Sequence, residues 1–195
     1  MIKGIPLSKL SDNISFFMYD IIVIGAGSGG LNIASFMNGI GLKVLLIDRS
    51  DEQIGGDCLN TGCVPSKALI HIARQHKNAQ EVTAFGPRLD GSIDLHKVMT
   101  HVKGAQDVIR EHENAEYFRA QGMDVVLGEA SFAGKNTVKV GDALYHGKKI
   151  ILATGSRPRT LTISGVDEVE RSARLYTNEN IFSLTNLPKR LLVIG

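Results

Sequence analysis

Cysteine is scarce: the 195-residue sequence contains two, far too few for the framework of a small disulfide-rich secreted scaffold. Long apolar runs are missing as well. No stretch approaches the roughly 18 apolar residues that a membrane-spanning helix needs. Met1-Ile2-Lys3 opens like a signal peptide, but Lys9 and Asp12 interrupt the apolar region and no small-residue cleavage site follows. An excess of one charge is the third absence. The 22 basic and 20 acidic residues leave a net charge of +2, so no long-range field draws the chain to nucleic acid or an anionic membrane. Lys148-Lys149 and Lys189-Arg190 are isolated pairs that read as solvated strand entrances. These absences predict a soluble cytoplasmic protein with neither nucleic acid nor membrane as partner. In such a reducing compartment, a close cysteine pair is catalytic or metal-binding rather than structural.

What is present is the balance of a globular protein with a core: 43% hydrophobic and 22% charged residues. Residues Tyr19 to Ile24 and Val44 to Ile47 are short apolar runs. Between them lie a glycine-rich turn and a helical pattern of Leu31, Ala34, Phe36, Met37 and Ile40. Such a β-α-β unit predicts parallel strands and a layered α/β fold. Helices are expected from Pro65 to about Gln80 and from Asp94 to Gln121, the second with Asp94 as cap and Leu95, Val98, Val102, Ala105, Val108 and Ile109 on one face. After Gly122, Asp124 to Leu127, Asn136 to Val140 and Lys149 to Ala153 read as strands, separated by turns at Gly134 and Gly141. A loop follows through Arg157-Pro158, with Gly165 inside it. The closing Leu192-Val-Ile-Gly195 repeats the text of Ile22-Val-Ile-Gly25, which predicts a second strand-to-glycine unit beginning there.

Gly25-Ala26-Gly27-Ser28-Gly29-Gly30 satisfies G-x-G-x-x-G with a strand before it and a helix after it. The first glycine permits a tight turn, the second lets backbone approach a pyrophosphate, and the third lets helix and strand pack closely. Asp48 ends the second strand, 18 residues after Gly30, where an acid accepts hydrogen bonds from a ribose. Arg49 beside it is either a phosphate contact or an ordinary surface charge. The motif predicts dinucleotide binding without separating FAD from NAD.

Cys58-Leu-Asn-Thr-Gly-Cys63 runs directly into Val-Pro-Ser-Lys67. A zinc site needs two further ligands, and His71 and His76 on the following helix lack the paired spacing, so no metal is expected. Two readings remain at this point, independent thiols and a redox disulfide. A helix N-terminus and the Lys67 ammonium both favour a reactive thiolate. In a regular helix, residues five apart have Cα atoms about 8–9 Å apart, while a disulfide tolerates about 7 Å at most. A bonded pair therefore demands a distorted first turn, for which Gly62 and Pro65 are suited.

The run Gly55-Gly56-Asp57-Cys58-Leu-Asn-Thr-Gly-Cys63-Val-Pro-Ser-Lys67 closely resembles the active-site segment of the pyridine nucleotide-disulfide oxidoreductases, the family of dihydrolipoamide dehydrogenase, mercuric reductase and glutathione reductase. The glycine turn is similar to that family's FAD site. Ala153-Thr154-Gly155-Ser156-Arg157-Pro158 resembles its later A-T-G-S turn beside the flavin, and Gly128-Glu129-Ala130 resembles the point where its backbone passes the adenine. The likeness runs from about Tyr19 to Gly195 in the same order.

The resemblance implies a Rossmann-like FAD-binding domain with a parallel sheet, helices and an additional small antiparallel sheet. It implies residues 1–18 as an extension, 19–187 as the FAD domain and 188–195 as the start of an NAD(P)-binding domain. By the same resemblance Cys58 attacks the substrate, Cys63 faces the flavin as the charge-transfer thiolate, and Lys67 lies near the flavin N5. Gly25, Gly27, Gly30 and Asp48 hold the ADP portion, although the family usually has Glu at the last position. The family's second glycine motif for NAD(P)H, its later Gly-Asp motif and its dimerisation domain are not in this sequence. The expectation is thus one part of a homodimeric enzyme passing electrons from NAD(P)H through FAD and the cysteines to a substrate, with a small disulfide, thiol or mercuric compound as its partner. The competing expectation is a flavin- or nucleotide-binding module without turnover.

Overall fold

The computed structural model describes residues 16–159 and 161–194, the side chains of positions 16 and 17 excepted. Most of the expected N-terminal extension, and Gly195 of the repeated text, lie outside the described residues. The chain divides into two compact units, residues 1–55 with 113–154 and residues 56–112 with 155–195.

The first unit is built on one sheet. β1 (Phe16–Ile24) leads through the glycine turn into α1 (Ser28–Gly39) and back to β2 (Val44–Asp48). β2 pairs with β1 in parallel, Ile24 opposite Ile47. Ile22, Val23, Leu45, Leu46 and Ile47 are fully buried, as expected of central parallel strands covered on both faces. From Ile21 onward in β1, and throughout Val44–Ile47, alternate residues serve opposite faces. Ile21, Val23, Val44 and Leu46 pack with Leu31 and Ala34 of α1 and with Ala115 and Phe118 of a short helix, α5 (Ala115–Ala120). Tyr19, Ile22, Leu45 and Ile47 pack with Val138, Val140 and Tyr145 on the other face. β3 (Asp124–Leu127) adds to β2 in parallel. β4 (Ala130–Gly134), β5 (Thr137–Val140) and β6 (Ala143–Leu152) form an antiparallel meander. β6 also pairs in parallel with β1, so the antiparallel strands continue the same six-stranded sheet in the order β3-β2-β1-β6-β5-β4.

The second unit carries α2 (Gly56–Asn60), α3 (Cys63–Val82) and α4 (Leu95–Arg110), with α3 packed along α4. Val98 and Val102 of α4 are buried. The later part holds α6 (Val166–Arg171) and a 3-10 turn at Ile181–Ser183.

Four differences from the expected elements have physical causes. The helix expected from Asp94 to Gln121 is two helices, because Asn114 caps a new start by accepting the Tyr117 N–H at 2.8 Å. Asp94 does cap α4, accepting from His96 and Lys97. β6 begins six residues before the expected Lys149, since its first half pairs with β5 on one edge while β1 runs along the other edge from Leu144 to Leu152. β4 carries no apolar alternation to betray it. Residues 191–194 form no strand: among the described residues they have no ladder neighbour, and Leu192 is 83% exposed.

Candidate functional site

In the first unit the glycine turn sits where the sheet's parallel strands end. The Gly25 N–H donates to the Ile47 carbonyl at 2.8 Å, and the residue has φ of 102°, a region open to glycine at little cost. A Cβ on Gly25 would collide with the Ala153 carbonyl oxygen, and one on Gly30 with the Gly25 carbonyl oxygen. Both positions thus exclude side chains by space, and Gly25 by conformation as well. Gly27 precedes α1, whose first turn has neither a side-chain cap nor an acid. Its leading N–H groups are consequently left to solvent or to an anion. Ser28 and Gly29 are exposed at this end, and Gly29 faces open space.

Buried Ala26 is the anchor of the turn. Its N–H donates to Asp48 Oδ2 at 2.6 Å, and its carbonyl accepts the Gly55 N–H at 2.8 Å. Gly27 and Gly55 bridge in parallel. Asp48 Oδ1 accepts the Arg49 N–H at 2.7 Å. A carboxylate offers about four acceptor positions, so hydroxyl groups of a ribose still find lone pairs there. Arg49 is exposed and reaches Gln53 Oε1 at 3.4 Å. The Gly128 N–H donates to the Asp48 carbonyl at 2.8 Å, and the Ala153 N–H to the Ile24 carbonyl at 2.8 Å. The turn, Asp48, Gly128 and Ala153-Thr154 are therefore gathered at the carboxyl edge of the sheet, where ligands of open α/β sheets bind, while Ala130 opens β4 opposite Val140. Gly55 was not among the expected residues. Its signal was the Gly55-Gly56 pair, both with positive φ.

The second unit holds Gly56, Asp57, Cys58, Cys63, Lys67, Gly155 and Ser156. Half-buried Cys58 lies inside α2, and exposed Cys63 is the first residue of α3. The helix is interrupted between them at Thr61-Gly62. A Cβ on Gly62 would lie 2.7 Å from the Asp57 carbonyl oxygen, so the interruption is closed tightly enough to demand glycine. Lys67 is exposed one turn beyond Cys63, the spacing that places two side chains on one helix face. Asp57, Gly155 and Ser156 are exposed, and Gly155 has φ of 72°. Three contacts absent from the sequence reading reach the segment between the cysteines. Gln106 Nε2 donates to the carbonyls of Leu59 at 2.8 Å and Asn60 at 3.0 Å, and Arg110 Nη2 donates to Asn60 Oδ1 at 2.6 Å. Among the described residues no group of three or more His, Cys, Asp or Glu is placed to hold a metal ion, and no helix is long and apolar enough to cross a membrane.

A parallel sheet whose first strand passes through such a turn into a helix, with an acid ending the second strand, is a Rossmann-like α/β fold. The chain belongs to the pyridine nucleotide-disulphide oxidoreductase family, which it matches over residues 19–195. It is 33% identical over 186 residues to a dihydrolipoyl dehydrogenase of Mycoplasma pneumoniae, covering 91% of this chain and 38% of the relative. It is 31% identical over 178 residues to a mercuric reductase of Staphylococcus aureus, covering 91% of this chain and 31% of that protein. Among solved structures it is similar to the HOCl-induced flavoprotein disulfide reductase RclA of Escherichia coli, with a TM-score of 0.71 and 27% identity over 87% of this chain and 35% of that one. The chain thus spans about a third of the length of these relatives.

Proposed function

We propose that this chain is the FAD-binding portion of a flavoprotein disulfide oxidoreductase, in which Cys58 and Cys63 pass electrons to a small disulfide or mercuric substrate or take them from a small thiol. The observation that carries the reading is the helix interrupted at Gly62 between the two cysteines. A continuous helix would hold them about 8–9 Å apart, out of reach of the bond they must form and break. The glycine turn fits a dinucleotide, because Gly25 and Gly30 leave backbone where side chains would otherwise stand. FAD, when bound, supplies two-electron exchange with NAD(P)H on one side and the cysteine pair on the other.

The turn and the uncapped start of α1 would hold the pyrophosphate through backbone N–H groups, while Asp48 would accept from the ribose. By the family likeness, Gly128, Ala130, Ala153, Thr154, Gly155 and Ser156 would serve the rest of the cofactor, and Lys67 would set the charge near the flavin. Cys58 attacks one sulfur of a substrate disulfide, and the other sulfur leaves as a thiol after taking a proton. Cys63 then attacks the Cys58 sulfur, closing the Cys58–Cys63 bond and releasing the second thiol. Two electrons have passed from the pair to the substrate. The whole enzyme is a cytoplasmic homodimer, and its NAD(P)-binding domain begins near residue 188.

The test is binding followed by chemistry. Purified protein titrated with FAD in a calorimeter should bind it, and Gly27→Val should abolish the heat. Mild oxidation should then give a Cys58–Cys63 link by mass spectrometry that thiols reverse. Failure to bind FAD at high concentration would overturn the cofactor assignment. Binding without the link would identify a flavin module that does no disulfide chemistry.

A further inference from the structure

The last carbonyls of any helix lack intrahelical donors, and α2 stops between the two cysteines. In a continuous helix the carbonyls of Leu59 and Asn60 would accept from Cys63 and Val64. Here the Gln106 amide donates to both, at 2.8 and 3.0 Å, while Arg110 holds the Asn60 side chain at 2.6 Å. Gln106 and Arg110 continue, four residues at a time, the line of Val98 and Val102 along α4. The apolar half of that line is buried, and its polar half is half-buried against the end of α2. Asn178 adds a longer contact to Thr61 Oγ1 at 3.4 Å.

We infer that Gln106 and Arg110 are positioning residues for the cysteine pair, holding the chain broken between Cys58 and Cys63 and so favouring their disulfide over the dithiol. The inference rests on the redox-pair reading above. Its logic is a competition. Without the clamp, rejoining α2 to α3 gives the carbonyls of Leu59 and Asn60 helical donors, and that continuous helix is too long between cysteines for the bond. Satisfying those carbonyls from α4 removes the advantage of rejoining. Oxidation by glutathione disulfide transfers two electrons, forms one sulfur–sulfur bond within the chain, breaks the one in the oxidant and yields two glutathione thiols.

The experiment equilibrates the full chain in glutathione buffers of graded ratio, then traps thiols by alkylation and counts them by mass spectrometry. Gln106→Met keeps length and neutrality but removes the donor, and it should lower the constant for Cys58–Cys63 formation about tenfold, a rise of about 30 mV in potential. Arg110→Met should lower it in the same direction, and Arg110→Lys, which retains a donor, should restore most of the loss. Lys103→Met removes a cation from the same helix, where among the described residues it pairs with exposed Asp107 at 2.7 Å, and should leave the constant unchanged. Melting by circular dichroism that matches the unmodified chain, together with a shifted constant, excludes general loss of structure. A Gln106→Met constant within about twofold of the unmodified chain, or shifted toward the disulfide, overturns the clamp. If the unmodified chain forms no Cys58–Cys63 link in the most oxidising buffer, it is the redox reading that fails.

Discussion

The two units hold their functional segments by different means. In the first unit the glycine turn is fixed by a sheet whose central residues, Ile22, Val23, Leu45, Leu46 and Ile47, are sealed from solvent. In the second, the described residues bury few apolar side chains, Leu59, Pro65, Val98 and Val102 among them. Phe85 is 88% exposed and Val108 64%. The cysteine segment instead depends on Gln106 and Arg110 reaching particular acceptors. A phosphate cradle needs a rigid backbone, which ladder and core supply cheaply. A segment that exchanges a bond needs one defined distance, and directional hydrogen bonds set a distance better than apolar packing does.

Removing packing from the first unit should have the largest effect. Leu46→Ala should cost about 2–5 kcal/mol in urea denaturation, the range for a fully buried leucine that leaves a cavity. A loss below about 1 kcal/mol would mean that the sheet is not the anchor it looks to be.

Tyr19 offers a pH-dependent probe of the same unit. Burial, and then its 2.9 Å hydrogen bond to Asp124, push its hydroxyl well above the ordinary tyrosine range. The unfolded chain therefore loses this proton first, near pH 10, while the folded chain keeps it. The stability that Tyr19 confers is fully present below about pH 10 and falls above it, by about 1.4 kcal/mol per pH unit, until the folded hydroxyl also ionises. Tyr19→Phe should flatten that alkaline limb in a pH series of melts. An unchanged limb would assign it to other groups.

In the second unit, Asp94→Ala should cost about 1 kcal/mol, the usual loss of an N-cap, read as earlier melting of helical signal. Val108→Ser should change stability by less than about 0.5 kcal/mol, because the side chain is already in water. A larger loss would show that the outer face of α4 is covered in solution.

The first β-α-β unit was legible because local and tertiary signals agree there: apolar strands at parallel spacing, a turn only glycine can make, and an acid at the strand end. The helix interruption between the cysteines was legible from Gly62 and Pro65 together with the reach of a disulfide. The polar hold on that interruption was not. Gln106 and Arg110 read as ordinary surface residues of a helix, and their acceptors are backbone carbonyls that leave no mark in the sequence. β4 escaped for a related reason, since Ala130–Gly134 owes its strand to β5 rather than to its own side chains. Asn114 could have been read as a cap, but the apolar residues on either side of it continue a helical pattern across the break.

The order of strands has a consequence for the chain during its synthesis. β1 is made early, yet its parallel neighbour β6 comes late, and the ion pair that joins their middles, Asp20 with Lys148 at 2.6 Å, links residues 128 positions apart. At a translation rate of about 5–20 residues per second, one edge of β1 waits roughly 6–26 s for its partner. During that interval the most apolar strand of the molecule stands beside β2 with its other edge open, the state in which strands join the wrong chain. Ribosome-bound intermediates arrested after β2 are therefore where a chaperone has most to protect.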